Sequence, residues 1–141
     1  VLEDAKMERR YLPAAWLDRP LDPETIARAG NNALIPVADA IDQLLALAEL
    51  YYASALQGIH LLPWRSRFSI IVALRVYRQI GRQLKRGGLK WWQGRTVVSK
   101  LTKARLSISS LIDLLSGLSP KPVPAHNSAL HRHLKGLAGV E

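Results

Sequence analysis

Between Ser66 and Gly87 apolar side chains return every three or four residues. Ile70, Ala73, Leu74, Tyr77, Ile80, Gly81 and Leu84 share one face of a helix, while Arg75, Arg78, Arg82, Lys85 and Arg86 lie largely on the other. A pattern of period 3.6 does not suit a strand, and a helix of this kind must bury its apolar face against other elements. The rest of the chain reads the same way. Residues 1–12 form a helix end running into a loop that Pro13 closes. Asp22 suits an N-cap with Pro23 in the first turn of a short helix that Gly30 ends. A longer helix follows, with Pro36 in its first turn and Ile41, Leu44, Leu45, Ala48, Tyr52 and Ala55 at helical spacing, and Gly58 ends it. Ser66 suits the cap of the amphipathic helix, and Gly87-Gly88 stops it. Residues 89–98 connect it to a last helix, opened by Ser99, with Leu101, Ile108, Leu111, Ile112 and Leu115 on its core side. No alternating strand pattern and no internal repeat occurs. The expected fold class is all-α. Three good helices make a thin core, so further helices are expected to complete it.

Charge narrows the partners. The 141 residues carry a formal net charge of +9. Residues 1–59 hold five Lys or Arg against nine acids, and residues 60–141 hold fifteen against two. Such asymmetry points to an anionic partner for the basic half: nucleic acid, a membrane surface or a phosphorylated substrate. No helix-turn-helix, zinc finger or aromatic stacking platform accompanies the cations, so nucleic acid is not expected. Without cysteine the chain has no disulfide, thiolate nucleophile or Cys-ligated zinc. No apolar run approaches the roughly 18 residues of a membrane span. The opening residues are too charged for a signal peptide, so a cytoplasmic protein, at most peripheral to a membrane through the Arg75–Arg86 stripe, is expected.

Few residues carry chemistry by themselves. Glu3-Asp4, followed by Lys6, Arg9 and Arg10, suits a solvated helix end, or one part of a Mg²⁺ site for a diphosphate. Tyr77 suits either the core or a hydroxyl aimed into a cavity. Arg95 suits the surface. His126, His131 and His133 have weak metal spacing, and Ser107, Ser109 and Ser110 lack a nucleophile elbow. Walker A and dinucleotide fingerprints are absent.

Read together, the motifs are more specific. Val1-Leu2-Glu3-Asp4 followed by Glu8-Arg9-Arg10-Tyr11-Leu12-Pro13 resembles the end of the second aspartate-rich motif of the squalene/phytoene synthase family. Tyr51-Tyr52-Ala53-Ser54, Leu62-Pro63, Arg67, the run from Ala73 to Ile80, Gly88, Trp92, Arg95, Val98-Ser99-Lys100 and Lys103 keep the family's order over roughly residues 1–117. Leu62-Pro63 with Arg65-Ser66-Arg67, the Tyr77 helix and Trp92-x-x-Arg95 looks most like the bacterial-type phytoene synthases.

The resemblance implies an isoprenoid synthase fold, antiparallel helices around an apolar cavity, and a prenyltransferase of carotenoid biosynthesis. The implied reaction joins two geranylgeranyl diphosphates head to head, through prephytoene diphosphate, to phytoene. It implies Mg²⁺, with Mn²⁺ as a substitute, held through the substrate diphosphate. By match, Asp4 is a metal ligand with Glu3 outside it. Arg9, Tyr11 and Arg95 contact diphosphate, and Tyr77 and Tyr11 stand at the reacting centre. Glu8 departs from the glycine common in phytoene synthases. A squalene or dehydrosqualene synthase using farnesyl diphosphate is the related alternative. A non-catalytic basic helical module for membrane or nucleic acid is the alternative of another class. The first aspartate-rich motif lies outside this sequence, so residues 1–117 are expected to be the C-terminal portion of the domain, inactive alone. Residues 118–141 are expected to be a mobile Pro-rich tail.

Overall fold

A computed structural model describes residues 1–17, 20–116 and 127–136, apart from the side chains of Asp113, Leu115 and Ser116. Its five α-helices are α1 (Leu2–Lys6), α2 (Pro23–Ala27), α3 (Asn31–Gly58), α4 (Trp64–Arg86) and α5 (Lys100–Ser116). Short 3₁₀ turns lie at Ala14–Trp16, Ile59–Leu61, Trp91–Gln93 and Ser128–Leu134, and the described residues contain no strand. The all-α class holds.

Several boundaries follow from the sequence. Asp22 caps α2 by accepting the Thr25 N–H at 2.6 Å, with Pro23 in the first turn. That backbone hydrogen bond holds the Asp22 carboxyl below its ordinary pKa. Ser99 Oγ accepts the Thr102 N–H at 3.2 Å and opens α5. Gly58 ends α3 and Gly87 caps α4. Two boundaries differ. Helix α3 begins at Asn31, so Pro36 is its sixth residue rather than part of its first turn. Pro36 is buried, and it packs within the helix without contributing an N–H to its ladder. Helix α4 begins at Trp64, with Pro63 and not Ser66 at the cap position. Arg67 secures that end by donating to the carbonyls of His60 and Leu62 at 2.6 and 2.9 Å.

The main core gathers at one end of α3. Ala33, Val37, Ala40 and Ile41 meet Ala5 of α1, Ile26 of α2, and Leu12, Leu17, Leu21 and Trp91 from the connectors. Trp91 satisfies its indole N–H on the Leu34 carbonyl at 3.2 Å while its ring is buried. Arg10 donates to the Leu21 carbonyl at 2.7 Å and ties the loop after α1 to the approach to α2.

Helices α3 and α4 run antiparallel, and charge sets their register. Glu49 receives a bidentate pair of hydrogen bonds from Arg78 and lies 3.5 Å from Arg82 Nε. Seven residues earlier on α3, Asp42 Oδ1 lies 2.6 Å from Lys85 Nζ, seven residues later on α4. That contact is an ion pair rather than a directed hydrogen bond, since the same oxygen has no hydrogen-bond partner. Between the two pairs, Leu45 sits over Gly81, where an added Cβ would lie 2.6 Å from Leu45 Cδ2. On the other side of α4, Arg75 donates to Ser109 Oγ at 2.8 Å and Ser110 Oγ at 3.3 Å.

The basic stripe of α4 is therefore not an open, outward face. Arg75, Arg78, Arg82 and Lys85 reach groups on α5 and α3, because α4 is packed on both flanks. Arg86 remains exposed. The expected core side of α5 is also corrected. Leu101, Ile108, Leu111 and Ile112 are exposed, and α5 turns Ser110 and Leu114 inward instead. Within the expected tail, Ser128–Leu134 forms 3₁₀ turns, and the Tyr51 hydroxyl donates to the Leu130 carbonyl at 2.7 Å. His126 and the rest of the tail, 118–126 and 137–141, lie outside the described residues.

The Arg78 hydrogen bonds hold the Glu49 carboxyl below its ordinary pKa. The unfolded chain thus takes up this proton at a higher pH than the folded chain. The stabilisation is present above the ordinary glutamate value of about 4.3 and is lost as pH falls through the lower folded value. Glu49→Gln should cost on the order of 1 kcal/mol at pH 7, a figure already reduced for solvent screening of a partly exposed pair. The cost should shrink in acid. Urea denaturation at pH 7 and pH 3 tests this, and an equal cost at both would exclude a charge origin.

Candidate functional site

The site is built where α1 ends. Met7 and Arg9 both donate their N–H to the Asp4 carbonyl at 2.9 Å, and Glu8 donates to the Ala5 carbonyl at 3.0 Å. This is a Schellman closure, in which the chain reverses through one residue in the left-handed region. That residue is Glu8, with φ of 57°. The position favours glycine because a Cβ there crowds the following carbonyl. The reversal folds Arg9 back over Asp4 and sends Tyr11 along the same wall.

The result is a cavity of about 220 Å³ lined by Asp4, Arg9, Arg10 and Tyr11, with Leu12, Ile26 and Leu44 among its apolar walls. Asp4 is half-buried. Tyr11 is 72% exposed, so its ring stands at the mouth rather than in the core. A carboxylate, a guanidinium and a phenol at one rim above an apolar floor suit a ligand with an anionic head and a hydrocarbon body. The structure thus brings together three of the residues that the sequence singles out. Glu3 is exposed on the preceding turn and does not line this cavity.

Tyr77 and Arg95 border other cavities. Tyr77 is 66% exposed on α4, so it is not a core tyrosine. It lines an apolar cleft of about 260 Å³ between α3 and α4 with Tyr52, Glu49 and Arg78. Burial, reinforced by the Glu49 carboxylate, raises the Tyr52 phenol above its ordinary pKa. Arg95, on the connector after Gly94, lines a third cavity of about 220 Å³ with Gln83, Leu84 and Lys90. Gly94 has φ of 100°, a turn that glycine accommodates.

Glu49 is the residue that sequence reading passes over. Its signal was present: it is the only acid in the mostly apolar run from Leu44 to Leu56, seven residues after Asp42. Arg10 is one more basic residue beside Asp4 in the sequence, and in the fold it is a strut to Leu21. Among the described residues no group of three or more His, Asp or Glu side chains is placed to hold a metal ion.

The family model for squalene/phytoene synthase matches residues 1–102. The chain is 38% identical over 111 residues to a phytoene synthase from Pseudescherichia vulneris, a match covering 78% of this chain and 35% of that protein. It is 40% identical over 109 residues to a 15-cis-phytoene synthase from Paracoccus sp. (strain N81106 / MBIC 01143), covering 75% of this chain and 34% of that protein. A 15-cis-phytoene synthase from Pantoea ananas is 36% identical over 131 residues, covering 89% and 41%. The chain spans about a third of the length of the first two of these relatives. No solved structure matches it.

The left-handed Glu8 gives a direct test of the closure. Glu8→Gly removes about 1 kcal/mol of backbone strain and returns part of it through the freer unfolded chain. We expect net stabilisation of about 0.5 kcal/mol, read as a higher urea midpoint with an unchanged slope. A lower midpoint would mean that the Glu8 side chain itself holds the turn.

Proposed function

Because the chain belongs to the squalene/phytoene synthase family, we propose that it forms the C-terminal portion, over residues 1–117, of a phytoene synthase-like prenyltransferase. The proposed reaction condenses two geranylgeranyl diphosphates head to head, through prephytoene diphosphate, to phytoene. The observation that carries this reading is the gathering of Asp4, Arg9 and Tyr11 on one cavity with apolar walls. The relatives named above, all phytoene synthases, support the subclass.

Each residue has a physical role in this reading. Arg9 offers a planar fork that binds two phosphate oxygens and stays charged at any working pH. The Schellman closure ties the Arg9 backbone to the Asp4 carbonyl, and both residues line the same cavity. Tyr11 donates its hydroxyl to a phosphate oxygen at the mouth. Leu12, Ile26 and Leu44 exclude water from the chain end nearest the leaving group, which matters because a carbocation is quenched by water. Asp4 suits Mg²⁺ held mainly through diphosphate oxygens, since such sites use one or two carboxylates and complete themselves with substrate and water. When bound, the metal neutralises charge on the departing diphosphate. Glu3, one residue earlier, stands outside it. Tyr77 has little packing role within the chain, which supports a place on a substrate-facing wall. Arg95, on an exposed connector, reaches a diphosphate from the C-terminal side in this reading.

The exposed apolar residues of α3 support a missing complement. Leu44, Leu47 and Leu50 stand in the open on one helix, as expected of a tunnel wall whose opposite side is supplied by other residues. The full-length protein carrying this chain should therefore convert geranylgeranyl diphosphate with Mg²⁺ to a C40 hydrocarbon. Asp4→Asn should lower kcat at least about 100-fold, and Arg9→Ala should lower kcat/KM by a similar factor, each loss being about 2.7 kcal/mol or more. Formation of a C30 product from farnesyl diphosphate alone would move the protein to the squalene or dehydrosqualene branch. No product from either substrate would refute the reading.

A further inference from the structure

The apolar stripe on α3 has a head end and a far end. Leu44 lines the cavity that holds Asp4, Arg9 and Tyr11. Leu47 and Tyr51 follow it, three and seven residues on, along the same face, and all three are exposed. Seven residues of helix place Tyr51 about 10 Å beyond Leu44 along the axis. At that far end a segment distant in sequence comes back to α3. The Tyr51 hydroxyl donates to the Leu130 carbonyl at 2.7 Å, and the His133 ring meets the Tyr51 ring edge to face, with centroids 6.5 Å apart. The returning segment, Ser128–Leu134, has built ends. Asn127 Oδ1 accepts the Ala129 N–H at 3.1 Å before it, and Gly136, with φ of 92°, turns the chain after it. Leu130 and Leu134 are half-buried while Arg132, His133 and Lys135 are exposed, so the segment has an inner and an outer side.

We infer that Ser128–Leu134 is the end wall of the hydrocarbon site and sets the longest prenyl chain that the site accepts. The inference rests on the prenyltransferase reading. A diphosphate held at Asp4 and Arg9 fixes where the hydrocarbon starts, so its length is read at the other end of the stripe. A chain long enough to run past Tyr51 displaces the segment and forfeits its contacts with α3, whereas a shorter one leaves them in place. Discrimination by length suits an apolar site, where one methylene is worth roughly tenfold or more. The polar contact explains why the far residue is a tyrosine. A phenylalanine would give the stripe the same ring without anchoring a backbone carbonyl across it. The segment also lies beyond residues 1–102, which the family model matches, so this wall belongs to the chain itself rather than to the matched framework.

Steady-state kinetics of the full-length protein with geranylgeranyl diphosphate, and with its homologue one isoprene unit longer, test it. The wild type should favour geranylgeranyl diphosphate. Tyr51→Phe removes only the hydroxyl contact, and it should raise kcat/KM for the longer substrate relative to the shorter by about fivefold, the worth of one hydrogen bond. Ending the chain after residue 126 removes the whole wall and should raise the same ratio by about tenfold or more. A ratio unchanged in both variants, or an equal fall with both substrates, would overturn the inference while C40 formation by the wild type leaves the underlying reading intact. Equal use of the two substrates by the wild type would also overturn it. A wild type that makes no product from either would overturn both the inference and the reading beneath it.

Discussion

The seam between α3 and α4 is the interaction on which the rest depends. Two acids seven residues apart on one helix meet two cations seven residues apart on the other, in opposite order. The bidentate Arg78 contact gives direction as well as attraction, since a guanidinium fork fits a carboxylate in few orientations. Exposed pairs of this kind add little stability. Their effect is on register: a one-turn slip would lift Leu45 off Gly81 and break the bidentate Arg78 contact. The places of Tyr52 and Tyr77 follow from that register. The position of α5 follows too, because it is attached to the other flank of α4 through Arg75.

Much of this was legible in the sequence because it rests on local chemistry. The Asp22 cap, the Ser99 cap and the glycine stops at Gly58 and Gly87 each depend on residues within one turn. What the sequence did not disclose was which face of a helix meets which neighbour. Helix α5 has apolar residues on opposite sides, and periodicity ranks Leu101, Ile108 and Leu111 above two serines. The choice falls to the serines because Arg75, leaving a crowded helix, needs acceptors there. The arginine stripe misled for the same reason. A row of cations reads as a solvated face until the acids opposite it, far away in sequence, are brought alongside.

The candidate site was legible in part. Asp4, Arg9 and Tyr11 were singled out by motif, and the structure puts them on one cavity. Tyr77 and Arg95 were singled out with them, yet they border separate cavities. Only short-range geometry unites the first three, whereas Tyr77 stands on α4 and Arg95 on the connector after Gly94, far from them in sequence. Glu8 illustrates the same division. As a letter it marks a departure from the family pattern; as a backbone conformation it occupies the place that a glycine would suit.

The closure at Asp4 has a consequence for the order of assembly. Its hydrogen bonds span three to five residues, so they form with almost no loop-closure entropy to overcome. Contacts this local form quickly and need no distant helix to be in place. The backbone reversal that carries Asp4 and Arg9 can therefore form on the emerging chain, while the helices far apart in sequence pack around it afterwards.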